Sequence, residues 1–418
     1  MVLLRKILNA QLISAALRVI TLICKLVFVI YLGGKLSLSD LGDYGLIAAM
    51  TSYSIYFIGL EAHSYVNRKG IGEDSNKWRV LIDKQLGLYL FTSLVFLVIT
   101  LLLSQLHALQ FKYLYFFLGI TLVEHFGQES YRTLIALRDQ LAASLSLFFR
   151  AASWVIITVL IFQLEIYRVE LTDIFSMWLV FGAISTIATY IYISKRYTNA
   201  WYFTPKLDYR WSVSAIKTAL IFLMATLSLR LMQVLDRVII NATSDKETLG
   251  IYVFYTSLSM AASALYMFFG PSRIYPVLVA LHKGDDKAQF KIVSKKLLFI
   301  SFLMGAFFCL AIPSFLVVAS FFSNSQLFHI QQNPLLLMLV LGALLANAIN
   351  LGYQYILYCK NLDRVILLSN CIGLSASILY LVVIYCVYQV DAINVAVAVL
   401  LFYLASIAFK FFINKQTQ

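Results

Sequence analysis

Two basic residues lie deep in the first apolar stretch of this 418-residue chain, Arg18 and Lys25. A second pair, Arg230 and Arg237, lies deep in an apolar stretch half a chain later. An ionised side chain at the centre of a bilayer costs about 2.5 to 3.5 kcal/mol on insertion scales. Four at comparable depth therefore point to a water-filled cavity that receives something anionic.

Spacing places these residues on helical faces. Gln11, Ser14, Arg18, Thr21 and Lys25 are three, four, three and four apart, and Thr226, Arg230, Gln233 and Arg237 keep the same rhythm. Two other roles stay open. Lys25 could snorkel toward a surface, and Arg237 could pair locally with its neighbour Asp236. Acidic residues form a second set. Equal counts from the helix ends set Glu129 beside Arg150 as a structural ion pair. Glu124, His125 and Glu129 are the candidates for ion coupling, with Asp236 a further acidic position for that role or for gating. Glu61, within about two turns of Arg68, is a candidate gate residue or a solvated one.

The elements that carry these residues are membrane-spanning helices. Hydrophobic residues make up 61% of the chain and charged ones 13%, and the mean hydropathy is +0.84. Apolar runs of about 20 residues recur, which favours helices over the short alternating segments of a barrel. About twelve helices are expected, near 8–33, 42–66, 85–106, 112–138, 141–163, 172–194, 213–241, 248–272, 297–322, 335–358, 365–388 and 392–414. The expected class is an all-α polytopic membrane protein of two pseudo-symmetric six-helix lobes around a central cationic cavity. The lobes are 1–200 and 213–418, joined by a cytoplasmic linker at 201–212.

Basic residues alternate between the loops, with the heavy clusters on one side, so both termini are expected to be cytoplasmic. The formal net charge of +13 follows from basic loops against an anionic leaflet. No nucleic-acid partner is expected. Cys24, Cys309, Cys359, Cys371 and Cys386 suggest neither disulfides nor a metal site. The first helix reads as a retained signal anchor. Outer loops of about a dozen residues or fewer, with no phosphate loop, zinc motif or nucleophile elbow, leave no place for a soluble active site, so no enzyme and no cofactor are expected.

The halves also share a motif. Leu41-Gly42-Asp43-Tyr44 and Leu249-Gly250-Ile251-Tyr252 each open a helix and are offset by about 208 positions, as a tandem duplication gives. Parallel repeats of this kind would bring the two basic faces together. Asn347, Asn350 and Gln354 share a face of the tenth helix, where they could meet sugars or hydrogen-bond to other helices.

Tyr31-Leu32-Gly33-Gly34, the run Leu36-Ser37-Leu38-Ser39-Asp40-Leu41-Gly42-Asp43-Tyr44, and Leu235-Asp236-Arg237-Val238-Ile239-Ile240 before Leu249-Gly250-Ile251-Tyr252 resemble bacterial O-antigen and polysaccharide flippases of the multidrug/oligosaccharidyl-lipid/polysaccharide exporter superfamily. The resemblance implies a protein of the bacterial inner membrane. It would move undecaprenyl-pyrophosphate-linked oligosaccharide from the cytoplasmic to the outer leaflet by alternating access. It makes Arg18, Lys25, Arg230 and Arg237 the anion contacts. It also makes membrane lipids, and the polymerase and chain-length machinery of the same pathway, candidate partners. With about twelve helices expected, the two extra C-terminal helices typical of lipid II flippases are not, which counts against a peptidoglycan precursor. The alternatives are a cation-coupled multidrug exporter of the same superfamily, which would want an acidic cavity, or a glycan polymerase or ligase, which would want a large outer loop.

Overall fold

The computed structural model describes residues 2–71, 73–106, 112–164, 170–198, 202–284, 286–322 and 333–416. Among these the regular structure is helical. In chain order it comprises α1 (Val2–Lys35), α2 (Leu38–Gly59), α3 (His63–Gly70), α4 (Ser75–Gln105), α5 (Leu114–Ala136), α6 (Gln140–Ala151), α7 (Ser153–Gln163), α8 (Leu171–Tyr197), α9 (Tyr209–Thr243), α10 (Lys246–Phe269), α11 (Pro271–Lys283), α12 (Lys287–Phe322), α13 (Pro334–Cys359), α14 (Asp363–Val387) and α15 (Ala392–Gln416).

Each of the twelve expected spans is present as a helix or a broken helix. Ten stretches of the described residues are long and apolar enough to cross a membrane, and the bent pair α2 and α3 makes an eleventh. α5 is helical over 23 residues. It is absent from that set, as expected for a helix that carries Glu124, Glu129 and Arg132. The protein is a multi-pass α-helical membrane protein.

Local sequence explains where helices start and break. Asp74, Asp139, Asp245 and Asn333 cap α4, α6, α10 and α13 by accepting a backbone N–H three residues on. Glu170 and Asp173 form a reciprocal capping box at α8. The expected helix over 42–66 breaks instead: Leu60 and Glu61 take positive φ values of 47° and 54°, and α3 leaves α2 at 54°. Left-handed backbone at a non-glycine residue costs about 1 to 2 kcal/mol, so the bend is held by its surroundings. The expected span over 141–163 breaks at Ala152, between α6 and α7. The expected span over 248–272 breaks at Gly270, and α11, with Pro271 in its first turn, begins inside its expected end.

The chain forms two compact units, Met1–Phe28 with Ile47–Leu223, and Val29–Leu46 with Met224–Gln418. In the first, α5 packs on α6 and α8. Its core gathers Tyr65, Trp78, Ile82, Tyr89, Leu134 and Ile193. In the second, α13 packs on α12 and α15, and α14 packs on α15, around Met232, Ala398, Phe402 and Tyr403. The starts of α2 and α10 meet inside this second unit. A Cβ on Gly42 would come within 2.9 Å of the Lys246 carbonyl oxygen, and one on Gly250 would overlap the Leu38 carbonyl oxygen.

The segment expected as a polar linker is pinned within the first unit. Thr204 donates its backbone N–H (2.8 Å) and its hydroxyl (3.0 Å) to the buried Asp83 carboxylate. Lys206 N–H donates to the Asp83 carbonyl at 3.0 Å. Gly87 clears space for this backbone, since a Cβ there would overlap Lys206.

Candidate functional site

In the second unit a cavity of about 350 Å³ lies among α9, α10, α13 and α15, with Arg230, Gln233, Asp236, Arg237, Tyr252 and Tyr403 on its wall. The three-and-four spacing along α9 puts both arginines on this face, as the sequence pattern requires. Arg237 is buried. Its Nη1 donates to the Gly45 carbonyl at 3.1 Å, and its Nη2 to the Thr256 hydroxyl at 3.3 Å and the Met260 sulfur at 3.6 Å. Its Nε has no partner among the described residues. Arg230 is half-buried and donates Nη1 to Gln233 Oε1 at 3.0 Å.

The local pair between Asp236 and Arg237 does not take the form of a salt bridge. Asp236 accepts the Arg237 backbone N–H at 2.6 Å and the Tyr252 hydroxyl at 2.7 Å, while the Arg237 guanidinium reaches neutral acceptors. Neighbouring positions on a helix point about 100° apart, so adjacent side chains face different neighbours. The cavity therefore holds two guanidinium groups hydrogen-bonded to neutral groups, and one carboxylate already engaged by two donors. Such a wall has donors to spare for an anion.

In the first unit, Arg18 is half-buried and donates Nε to the Ser144 hydroxyl at 3.1 Å. Lys25 is exposed and lies in electrostatic range of Glu124 and Arg150. Arg150 does not pair with Glu129. Its Nη1 meets Glu124 Oε2 at 2.6 Å and the Glu124 carbonyl at 3.1 Å, and Trp178 Nε1 donates to the other carboxylate oxygen at 2.7 Å. Trp178 stacks on Trp154 at 5.5 Å and 8°. Counting residues from helix ends locates depth to about one turn, and 124 and 129 differ by little more than that. Glu129 also has a nearer cation on its own helix, Arg132 at 2.7 Å.

Glu129 belongs to a separate buried network at the break between α2 and α3. It accepts from Gln85 Nε2 at 3.1 Å and Tyr89 OH at 2.7 Å. Arg132 also approaches His63 Nδ1 at 3.1 Å and Glu61 at 3.9 Å, and Glu61 lies 3.4 Å from His63. His125, edge-on to Tyr89, keeps Nε2 unpartnered among the described residues. Glu61 is buried rather than solvated, and Arg68 lies over the Phe222 ring at 5.3 Å. Gln85, Tyr89 and His63 escaped the sequence reading. Only the Glu129 and Arg132 spacing of three could have signalled the network.

The polar face of α13 divides its work. Asn347 lines the cavity, whereas Asn350 accepts from Ser406 at 3.0 Å and from Lys410 at 2.8 Å, both on α15. Lys410 is wholly buried in α15. Among the described residues no group of three or more His, Cys, Asp or Glu side chains could hold a metal ion.

No family model matches the chain and no curated protein matches it. Its fold is similar to that of several solved transporters. One is an inward-facing multidrug resistance MATE family transporter of the MOP superfamily, with a TM-score of 0.65 and 13% identity over 95% of this chain and 94% of that one. Another is the lipid II flippase MurJ in an inward closed conformation, with a TM-score of 0.72 and 12% identity over 97% of this chain and 87% of that one. A third is a Vibrio cholerae MATE transporter, with a TM-score of 0.56 and 11% identity over 98% of this chain and 95% of that one. At these identities the likeness is one of fold.

Proposed function

We propose that the protein is a flippase of the bacterial inner membrane that carries undecaprenyl-pyrophosphate-linked oligosaccharide from the cytoplasmic to the outer leaflet by alternating access. The observation that carries this reading is the cavity of the second unit, where the Arg230 and Arg237 guanidinium groups hydrogen-bond to neutral groups and, among the described residues, make no salt bridge, although Asp236 shares the wall. A buried cation without a counter-charge is costly, and a pyrophosphate offers that charge with matching bidentate acceptors. In the first unit, considered by itself, Arg18 is bonded to a neutral hydroxyl among its described partners and Lys25 is exposed, and each is a proposed anion contact. Basic loops set both termini on the cytoplasmic side. Moving an anion out of an inside-negative cell is favourable by about 2.3 kcal/mol per charge per 100 mV, which drives the step without a bound nucleotide.

The test is inner-leaflet accumulation of lipid-linked oligosaccharide in a flippase-deletion strain complemented by the wild-type chain, by Arg18→Ala or by Arg230→Ala at matched membrane abundance. Wild-type should clear the intermediate and each variant should retain it. Full complementation by both variants removes the anion-contact reading.

A cation-coupled multidrug exporter is the second reading, favoured by the Asp236 carboxylate in the same cavity and by a fold similar to MATE transporters. Asp236→Asn separates the two. Export of an organic cation needs the charge, whereas clearance of an anionic lipid does not.

A further inference from the structure

At the helix break of the first unit one nitrogen faces two incompatible partners. His63 Nδ1, on the first residue of α3, lies 3.1 Å from Arg132 Nη1 and 3.4 Å from Glu61 Oε2. A guanidinium only donates and an ionised carboxylate only accepts. Nδ1 can therefore accept from Arg132 through its lone pair, or donate to Glu61 as an N–H, and the two bonds exclude one another. In a neutral ring bonded to Arg132 the hydrogen sits on Nε2, so an added proton goes to Nδ1 itself.

The choice bears on the backbone. Leu60 and Glu61 hold left-handed φ values, and the break is stitched on both sides: Thr92 of α4 donates to the Ile58 carbonyl at 2.7 Å, and Ser64 to the Glu61 carbonyl at 2.8 Å. α3 packs on α4 and α5, and the contact of His63 with Arg132 joins it to α5. Arg132 is itself fixed, because it donates to Glu129 at 2.7 Å and Tyr89 and Gln85 hold that carboxylate. The other titratable and charged groups around His63 are His125 on α5 and Tyr56 on α2, in range of Arg132. Lys69 of α3 and Lys84 of α4 lie by Tyr65. Glu61 and Glu129 draw a proton to this nitrogen and Arg132 opposes it. The His63 side chain keeps 19% exposure, which leaves it open to a proton from outside the core.

We propose that His63 is a proton-binding site that latches the break between α2 and α3. With Nδ1 unprotonated, Arg132 holds α3 against α5. A proton from water bonds to the Nδ1 lone pair, the hydrogen bond from Arg132 breaks, and the new N–H turns to Glu61. Two cations then face each other where a hydrogen bond stood, so α3 leaves α5 and the 54° bend changes. The latch lies wholly within the first unit and does not rest on what the arginine cavity carries, so its failure leaves the translocation reading untouched.

Hydrogen exchange of the full-length protein in lipid nanodiscs, read over residues 59–71 and corrected for intrinsic rates, tests the latch between about pH 8 and about pH 5.5, which bracket an ordinary imidazole. Wild-type should lose protection there by about fivefold or more in acid, the lower end of a coupling between two sites. His63→Gln, whose amide can accept from Arg132 and donate to Glu61 without taking up a proton, should keep the same protection at both. His282→Gln, at an exposed histidine of α11, should respond as wild-type does. Histidine nitrogen NMR at the alkaline end should show His63, assigned by its absence in His63→Gln, as a neutral ring with its hydrogen on Nε2. Unchanged protection in wild-type, a response kept in His63→Gln, or a neutral His63 with its hydrogen on Nδ1 would each overturn the assignment, and the first of these needs no variant.

Discussion

Gly42 and Gly250 are related by the 208-residue offset of the internal repeat, and each packs against the backbone that precedes the other. Gly42 lies on the Lys246 carbonyl and Gly250 on the Leu38 carbonyl, and 38 and 246 bear the same offset. Gly45 meets Val253, again its own repeat partner. The contact is thus reciprocal in the repeat numbering, and it lies within the second unit. Lys246 closes the crossing on Asp43 at 2.9 and 3.0 Å.

Gly250→Ala is therefore expected to lower thermal stability in detergent by about 1 to 3 kcal/mol, since a methyl group is forced into backbone that cannot rotate away. Gly42→Ala should cost less. Gly34→Ala, with nothing within 4 Å of the added carbon, should be neutral. Equal melting temperatures for all three would show that the helix starts separate readily.

The ion pairs of the first unit can be told apart by double variants. Arg150→Ala strands Glu124 and should destabilise by about 3 to 5 kcal/mol. Adding Glu124→Gln should recover part of that loss, whereas adding Glu129→Gln should deepen it, because Glu129 answers to Arg132. Thermal unfolding of wild-type, the three single variants and the two double variants measures both couplings. Recovery by Glu129→Gln instead would restore the pairing that depth counting suggested.

Asp236→Asn should keep the fold, because an amide oxygen still accepts from Tyr252. It should leave clearance of lipid-linked oligosaccharide within about threefold of wild-type, or increase it, by removing a like charge from an anion site. Loss of clearance greater than about tenfold (~1.4 kcal/mol) at normal abundance would move the carboxylate into the transport cycle.

Outside the spans, Asp139 links the start of α6 to the end of α8. Burial acts to raise its carboxyl, but the Tyr197 hydroxyl, the Ala142 amide and the Tyr192 hydroxyl together hold it below its ordinary value. A carboxyl depressed on folding contributes stability that is present above its unfolded value and is lost as pH falls through the folded one. Asp139→Asn should thus reduce stability at pH 7 by well under about 1 kcal/mol, since the site is partly exposed. The difference should vanish in acid. Thermal melts at pH 7 and pH 3 read it, and a gap that widened in acid would reverse the sign.

The twelve spans were legible because hydrophobicity summed over about 20 residues is a strong local signal, and a span's existence depends on little else. The cavity face of α9 was legible for the same reason, since a period of 3.6 residues fixes which of Arg230, Gln233 and Arg237 share a side. Pairing is a different matter. Whether Arg150 meets Glu124 or Glu129 turns on about one helical turn of relative depth between two elements, and no local pattern carries that information.

The same reason hid the buried network of Gln85, Tyr89, His125 and Glu129, which joins two residues of α4 to two of α5 that only packing brings together. It also hid the anchoring of the linker segment, which Asp83 and Gly87 more than a hundred positions earlier hold down. Lys410, whose charge gives no sign of burial, is carried into the interior by the packing of α15 on α13. The sequence alone therefore determined the membrane class, the helices and the faces of those helices, which rest on local composition and period. Tertiary structure decided which charges meet, which are left facing neutral groups, and where the helices break, because those outcomes depend on distances between segments far apart in the chain.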